Sequence, residues 1–151
     1  MWSLRVVPFL AFFGWAVLFP GTPAQAADAK ATIDANIANL RNDHGQVICT
    51  LFNSPDGFPD HSKNAVTIAV VIKDTRATCR FKNVPYGTYA IVSFHDENHD
   101  GKFNQNWLGM PQEGFGFSDN PSVLKKPSFD DAKFTVAKPG VTISITMIYW
   151  F

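Results

Sequence analysis

The stretch VTISITMIY at residues 141–149 decides the class of fold. Apolar side chains occupy every second position from Val141 to Met147, and threonine or serine fills the positions between them. Because successive side chains of a strand point to opposite faces of its sheet, this alternation predicts a strand with one buried and one solvated face.

Six earlier stretches share the strand pattern and are separated by Gly, Pro, Asn and Asp. The first is irregular and contains Ile33, Ala35, Ile37 and Leu40, and the others are residues 47–52, 66–73, 78–83, 88–95 and 133–136. Residues 66–73 (VTIAVVIK) are apolar on both faces, which is typical of a central strand. Since no segment after the N-terminal apolar run shows sustained helical periodicity, the chain is predicted to be all-β, a seven-stranded antiparallel sandwich of two sheets.

The composition and the charge exclude several classes of protein. Of the 151 residues, 46% are hydrophobic and 17% are charged, which excludes a disordered or fibrous chain. Lysine and arginine together number 13, as do aspartate and glutamate, and no cluster of basic residues breaks this balance. We therefore expect no nucleic acid among the partners of this protein.

The N-terminus has the three parts of a secretory signal peptide. Arg5 precedes an apolar run at residues 6–19, which is followed by the small-residue tripeptide AQA at residues 24–26. The run is shorter than the roughly 17 to 25 residues of a membrane-spanning helix. We expect cleavage of residues 1–26, a single mature domain at residues 27–151 without a transmembrane span, and a periplasmic or secreted location. An uncleaved anchor is the alternative.

The two cysteines of the chain, Cys49 and Cys79, lie on different predicted strands and share faces with apolar residues. Both side chains are therefore expected to point into the sandwich. Export to an oxidising compartment favours a disulfide between them, which would close a loop of about 30 residues and contribute roughly 3 to 4 kcal/mol in the chain-entropy model. Two separate buried thiols are the alternative.

The connection between the fifth and sixth predicted strands, residues 96–131, is unusually long. Loops longer than roughly 12 to 15 residues are uncommon in compact domains and are often functional or disordered. Aromatic side chains in this connection argue against disorder. We therefore expect function to reside there.

The first part of this connection, HDENHDGKFN at residues 95–104, resembles a calcium-binding loop of the D-x-N-x-D-G type. In such loops, alternate residues donate oxygen atoms and the glycine permits a sharp turn. The predicted metal ligands are Asp96, Asn98, Asp100, the backbone carbonyl of Lys102, and Asn104. Ca²⁺ is the expected ion.

The remainder of the expected calcium shell departs from the EF-hand pattern. Trp107 stands where a bidentate glutamate would be needed, so Glu97, Glu113 or Asp119 would have to complete the shell. Between Asp96 and Asp119 there are five carboxylates and one lysine, and this local excess of negative charge also favours a cation.

Two alternatives stay open for the same segment. In the first, the Asp and Asn side chains bond their own backbone in a polar Asx-turn without a metal. In the second, His95 and His99 join Asp96 or Asp100 in a transition-metal site, which would suit a metal-dependent enzyme. A histidine spacing of four fits one face of a helix, whereas this segment is a strand end and a turn.

A second candidate site lies further along the connection, where GFGF at residues 114–117 places two aromatic rings between glycines. The ligand-binding candidates are Trp107, Glu113, Phe115, Phe117 and Asp119. Aromatic faces suit a sugar, a lipid or a peptide, although the same rings would also serve to cover one end of the sandwich. Residues 53–61 (NSPDGFPDH) form a second loop, and the two loops would share one surface if the fold brings them together.

Motifs along nearly the whole mature chain resemble those of one bacterial family. They are LRND at residues 40–43, LFNS at 51–54, GFP at 57–59, VPYGTYA at 84–90, HDENHDGK at 95–102 and NWLGMPQEGFGFS at 106–118. The resemblance is to the family catalogued as domain of unknown function 2141 (DUF2141). It implies an exported sandwich of the immunoglobulin-like or transthyretin-like kind, and it implies no reaction.

The residues favour a non-catalytic binding or accessory module of the cell envelope over a metal-dependent enzyme or a purely structural envelope protein. The chain has no G-x-S-x-G, Walker A, H-E-x-x-H or C-x-x-C motif. Its unusual residues are concentrated in one loop instead. The expected partner is a small molecule, a glycan, a lipid or an envelope protein, and no cofactor other than Ca²⁺ is expected.

Overall fold

The computed structural model describes residues 29–150, which form eight strands and one short helix. The elements in chain order are β1 Lys30–Ala38, β2 Gln46–Phe52, β3 Val66–Val70, β4 Ala77–Pro85, β5 Gly87–Asp96, β6 Phe115–Phe117, α1 Phe129–Ala132, β7 Lys133–Val136 and β8 Gly140–Thr146. The prediction of an all-β fold is thereby confirmed. The predicted signal peptide, residues 1–26, lies outside the described residues.

The strands form two sheets. One has three strands in the order β4-β1-β8, and the other has the order β3-β2-β5-β6, with β7 also paired to β5. β1 runs antiparallel to β4 but parallel to β8, with Ile37 beside Ile145. This parallel pair differs from the predicted all-antiparallel arrangement. It arises where the chain changes sheets after β7 and enters β8 beside Thr32, whose N–H donates to the carbonyl of Pro139.

Two further elements differ from the predicted strands. β6 (Phe115–Phe117) lies within the predicted long loop and makes eight strands in the described chain instead of seven. Three residues are too few to show a period in the sequence. Residues 66–73 form β3 only over Val66–Val70, at an edge of the sheet instead of its centre, and Val66 is 53% exposed there.

One apolar core lies between the two sheets. Its centre contains side chains that are at most 1% exposed, namely Ile33, Ile37, Val47, Ile91 and Ile145. Cys49 of β2 and Cys79 of β4 are fully buried and form a disulfide, with their Cα atoms 6.4 Å apart. The predicted disulfide is confirmed, and it joins the two sheets across the core.

β5 is apolar on both of its faces. Ile91 belongs to the core between the sheets, whereas Ala90, Val92 and Phe94 belong to a second apolar cluster on the outer face. Leaving apolar surface in water costs about 25 cal/mol for each Å². The outer face of the five-stranded sheet therefore needs a cover of its own, and the chain after β5 supplies most of it.

Candidate functional site

A first group of aromatic rings covers the outer face near the end of β5. Phe103 lies between Phe94 and Phe115, with ring centres 5.7 Å and 5.9 Å away respectively. Trp150, near the end of the chain, packs edge-on against Phe115 at 5.8 Å. Pairs of this kind each stabilise the fold by about 0.5–1.5 kcal/mol beyond simple burial.

A second group of rings covers the outer face near the start of β5, and Phe58 is its centre. Phe58 packs against Phe52 at 5.1 Å, Phe129 at 5.8 Å and Phe117 at 6.2 Å. Phe58 belongs to the loop at residues 53–61. Phe117 lies in β6, shortly after residues 96–113, which we call the acidic loop. The two loops therefore meet in one aromatic layer. The sequence alone does not predict this contact.

The alternation of glycine and phenylalanine in GFGF has a steric cause. A Cβ atom on Gly116 would lie 2.7 Å from Cγ2 of Ile145, and one on Gly114 would lie 2.3 Å from the ring of Tyr149. Glycine at these two positions therefore allows β6 to lie close against the end of β8. Phe115 and Phe117 belong to the outer aromatic cluster.

A cleft of about 800 Å³ opens on the outer face, bounded by the four rings of the first group and by Phe117 of the second. Ile48 and Thr50 of β2 and Val92 of β5 lie along it, on the sheet. Its sides come from three separate segments: residues 59–61, the acidic loop from Gly101 onward, and residues 123–127. We call this feature the outer cleft.

The ligand-binding candidates from the sequence divide into two sets. Phe115 and Phe117 line the outer cleft. Glu113 is buried outside its lining, and Asp119 is exposed outside it. Trp107 also lies outside the lining and is 90% exposed, at the tip of a turn in which Asn106 accepts hydrogen bonds from the backbone N–H groups of Leu108 and Met110.

Several cleft residues were not among the sequence candidates. Ile48, Val92 and Trp150 line the cleft but look like ordinary strand or terminal residues in the sequence. The sequence feature that could have located them is the apolar outer face of β5, because other parts of the chain must cover that face. Which side chains do so depends on pairing between distant strands.

The acidic loop begins at Asp96, whose fully buried carboxylate is surrounded by N–H donors. It accepts hydrogen bonds from the backbone of Asp100 at 3.0 Å, the backbone of Gly101 at 2.9 Å, and the side chain of Gln46 at 2.8 Å. Hydrogen bonds to a charged group are each worth about 1.5–3 kcal/mol. Asp96 thereby fixes the first turn of the acidic loop to the end of β5.

The other predicted ligands of the loop lie close together. Asn98 and Asn104 each donate from the side-chain amide to the carboxylate of Asp100, at 3.2 Å in both cases. The backbone N–H of Lys102 donates to the same carboxylate at 2.8 Å. The hydrogen bonds from Asn104, Lys102 and Asn98 hold the pKa of Asp100 below its usual value. These contacts are those of the polar Asx-turn alternative.

Glu113 closes the loop from its far end. Its two carboxylate oxygens accept hydrogen bonds from the backbone N–H groups of Glu97 and Asn104, at 3.1 Å and 2.9 Å. Burial raises the pKa of Glu113 above its usual value, and the negative charges of Asp96 and Asp100 add to this rise against the two hydrogen bonds. The carboxylates of Glu113, Asp96 and Asp100 therefore lie close enough to influence one another within the loop.

Glu97 connects the acidic loop to the LRND segment that precedes β2. Arg41 donates to its carboxylate at 2.7 Å, and the side-chain amide of Asn42 donates at 3.2 Å. Burial raises the pKa of Glu97, but these bonds outweigh burial and leave the pKa below its usual value. The two motifs, distant in sequence, therefore form one structural unit.

His95 is fully buried, with a hydrogen-bond partner at each ring nitrogen. Nδ1 lies 2.7 Å from the hydroxyl of Tyr149, and Nε2 lies 2.8 Å from the carbonyl oxygen of His44. Because a carbonyl only accepts, Nε2 carries a proton. His99, by contrast, is exposed in a left-handed turn with φ 63°. Of the two histidines of the enzyme alternative, one therefore has both ring nitrogens engaged within the protein, and the other faces solvent.

Within residues 29–150, no group of three or more His, Cys, Asp and Glu side chains lies together in the way a metal site requires. Clusters of His, Cys, Asp and Glu leave out the amide and backbone carbonyl oxygens, which calcium loops also use as ligands. The geometry around Asp96 and Asp100 is thus that of an ordered acidic turn beside an aromatic cleft.

Comparison with known proteins identifies the family and nothing finer. A family model described as "Uncharacterized protein conserved in bacteria (DUF2141)" matches residues 35–144, which include all eight strands at least in part. No curated protein matches the chain, and no solved structure matches it either. The chain therefore belongs to the DUF2141 family.

Proposed function

We propose that this member of the DUF2141 family is a non-catalytic binding module that takes a small apolar molecule into the outer cleft. The observation that carries the proposal is the cleft itself, about 800 Å³ in volume, which is lined by five phenylalanine and tryptophan rings and by aliphatic side chains, together with polar ones. Sites for small molecules generally measure about 300–1,000 Å³ and are mostly apolar, with a few polar groups.

The sheet side of the cleft supports an apolar ligand over a glycan. Ile48 and Val92 contribute aliphatic surface. The hydroxyl groups of Thr50 and Thr67, which also line the cleft, lie 3.0 Å apart and satisfy one another. A sugar would instead need several polar groups aimed at its hydroxyls.

A metal-dependent enzyme, the alternative function, has less support. It would require at least one ring nitrogen of His95 for the metal, yet Tyr149 and His44 engage both nitrogens. Releasing either would leave a buried polar group without its partner, at a cost of about 1–3 kcal/mol.

We also propose that the protein is exported and loses residues 1–26. The buried Cys49–Cys79 disulfide supports this, since disulfides persist mainly in oxidising compartments. In the described part of the chain, no helix has the length and hydropathy needed to cross a membrane.

A further part of the proposal is that Ca²⁺ binds the acidic loop and orders this wall of the cleft. The side chains of Asn98, Asp100 and Asn104 are joined by hydrogen bonds, and Asp96 accepts the backbone N–H of Asp100, so these four oxygen-bearing residues lie close together. Carboxylate, amide and carbonyl oxygens are the ligands that Ca²⁺ takes in proteins.

Binding in the cleft is tested with N-phenyl-1-naphthylamine, a neutral apolar fluorophore. In a Trp107→Phe background, Trp150 is the only tryptophan of residues 27–151, and it lines the cleft. We expect saturable quenching of Trp150 by the probe. Thr67→Phe places a ring in the cleft and is expected to weaken binding about tenfold, or ~1.4 kcal/mol.

The matched control for Thr67→Phe is Thr142→Phe, the same change at an exposed threonine of β8 that is not part of the lining. We expect this control to bind the probe as the parent does. Probe binding that never saturates, or equal affinities of the two variants, would contradict the proposed site.

Calcium binding is tested by thermal unfolding in EDTA and in excess Ca²⁺. At about 100 times its dissociation constant, Ca²⁺ is expected to stabilise the chain by roughly 2.7 kcal/mol. Asp100→Asn should abolish the rise in the midpoint, whereas Asp56→Asn, an exposed carboxylate of the other loop, should retain it. Equal unfolding midpoints of the parent protein in EDTA and in Ca²⁺ would contradict calcium binding and leave the metal-free Asx-turn as the interpretation of this loop.

Export is tested by N-terminal sequencing of the protein recovered from the periplasm or the medium of the expressing bacterium. We expect the first residue to be Ala27. A chain retained in the cell membrane with Met1 or the apolar run still present would show an uncleaved anchor instead.

A further inference from the structure

We propose that the ligand of the outer cleft is an amphiphile with an apolar chain and one anionic group, and that Lys125 and Lys126 bind the anionic group. This inference rests on the proposed function, whose ligand class it narrows. Two observations support the inference together: the apolar surface of the cleft and the charged residues of its lining.

The charged residues of the cleft lining are mostly basic. They are Lys102, Lys125 and Lys126 against Asp60. The whole chain has no net charge, and the acidic loop beside the cleft has an excess of carboxylates. A local excess of lysine at an apolar cleft therefore marks this surface as different from its surroundings, and it matches a ligand of the opposite sign.

Two buried carboxylates beside the cleft are engaged within their own loop. Asp96 and Glu113 are buried and aimed at backbone N–H groups of their own loop. Neither of them lines the cleft. Asp100, which is exposed, interacts electrostatically with Lys102, so the lysines of the lining that we assign to a ligand are Lys125 and Lys126.

Lys126 already binds a carboxylate of this chain, and a ligand carboxylate has the same chemistry. Its ammonium group forms an ion pair with Asp60, so the pair connects residues 53–61 with the segment before α1. Both side chains are about 60% exposed. An exposed pair contributes only about 0–1 kcal/mol, so a ligand carboxylate can replace Asp60 at little cost.

Lys125 completes the anionic site. In the described chain it takes part in no ion pair, and it acts on Asp131 only through space. Lys125 is exposed and lines the same cleft as Phe117 and Pro127. A lysine in this position presents its stem to an apolar chain and its ammonium group to a head group.

The test compares three ligands of equal chain length: dodecanoate, dodecan-1-ol and dodecyltrimethylammonium. Dodecanoate and dodecyltrimethylammonium are titrated below their micelle concentrations, and dodecan-1-ol below its solubility limit. The protein carries Trp107→Phe, and Trp150 fluorescence is the readout. We expect dodecanoate to bind about tenfold more tightly than dodecan-1-ol, because each of the two lysines should raise the affinity about two- to fivefold. The ammonium ligand should bind most weakly. The preference should shrink at high ionic strength.

Three variants identify the residues responsible. Lys125→Gln/Lys126→Gln should remove the preference for dodecanoate and leave the affinity for dodecan-1-ol unchanged. Lys82→Gln/Lys138→Gln, which removes the same charge outside the cleft lining, should keep the preference. Asp60→Asn frees Lys126 and should tighten dodecanoate binding about two- to fivefold.

The outcomes separate this inference from the proposed function. Equal affinities of dodecanoate and dodecan-1-ol would overturn the anionic site and leave the apolar cleft standing. An unchanged preference in Lys125→Gln/Lys126→Gln would also overturn it. Failure of all three ligands and of the neutral fluorophore to bind would overturn the proposed function itself.

Discussion

β5 carries apolar side chains on both of its faces, and the rest of the structure depends on covering both. The inner face, with Ile91, packs against the three-stranded sheet, and the disulfide between Cys49 and Cys79 holds the two sheets together. Among residues 29–150, no second sheet lies over the outer face, which carries Val92 and Phe94. The long connection after β5 and the loop at residues 53–61 take the place of that sheet.

A cover built from loops leaves gaps that a sheet would not, and the outer cleft is such a gap. The acidic loop keeps its place because Asp96, at the end of β5, binds the N–H groups of its first turn. Glu113 binds its far end in the same way. The acidic loop thus forms a fixed wall, while Phe103 and Phe115 supply the apolar contacts beside the cleft.

The sequence predicts the parts of the fold that follow from local alternation, including most strands and the burial of both cysteines. Alternation states which residues face the core, but not which strand lies beside another or in which direction, so the parallel pairing of β1 with β8 was missed. β6 was too short to show a period. The candidate site was found in part: Phe115 and Phe117 were identified, whereas Ile48 and Lys126 reach the cleft only through long-range pairing and loop packing.

The most direct test of a ligand site on the outer face is methyl-group NMR of residues 27–151 during titration with dodecanoate. We expect shift changes and ligand contacts for the methyl groups of Ile48 and Val92, and no change for Ile91 and Val47 on the inner face. Changes centred on Ile68 instead, beside a smaller cavity of about 280 Å³, would contradict the proposed site. So would a spectrum that does not respond to the ligand at all.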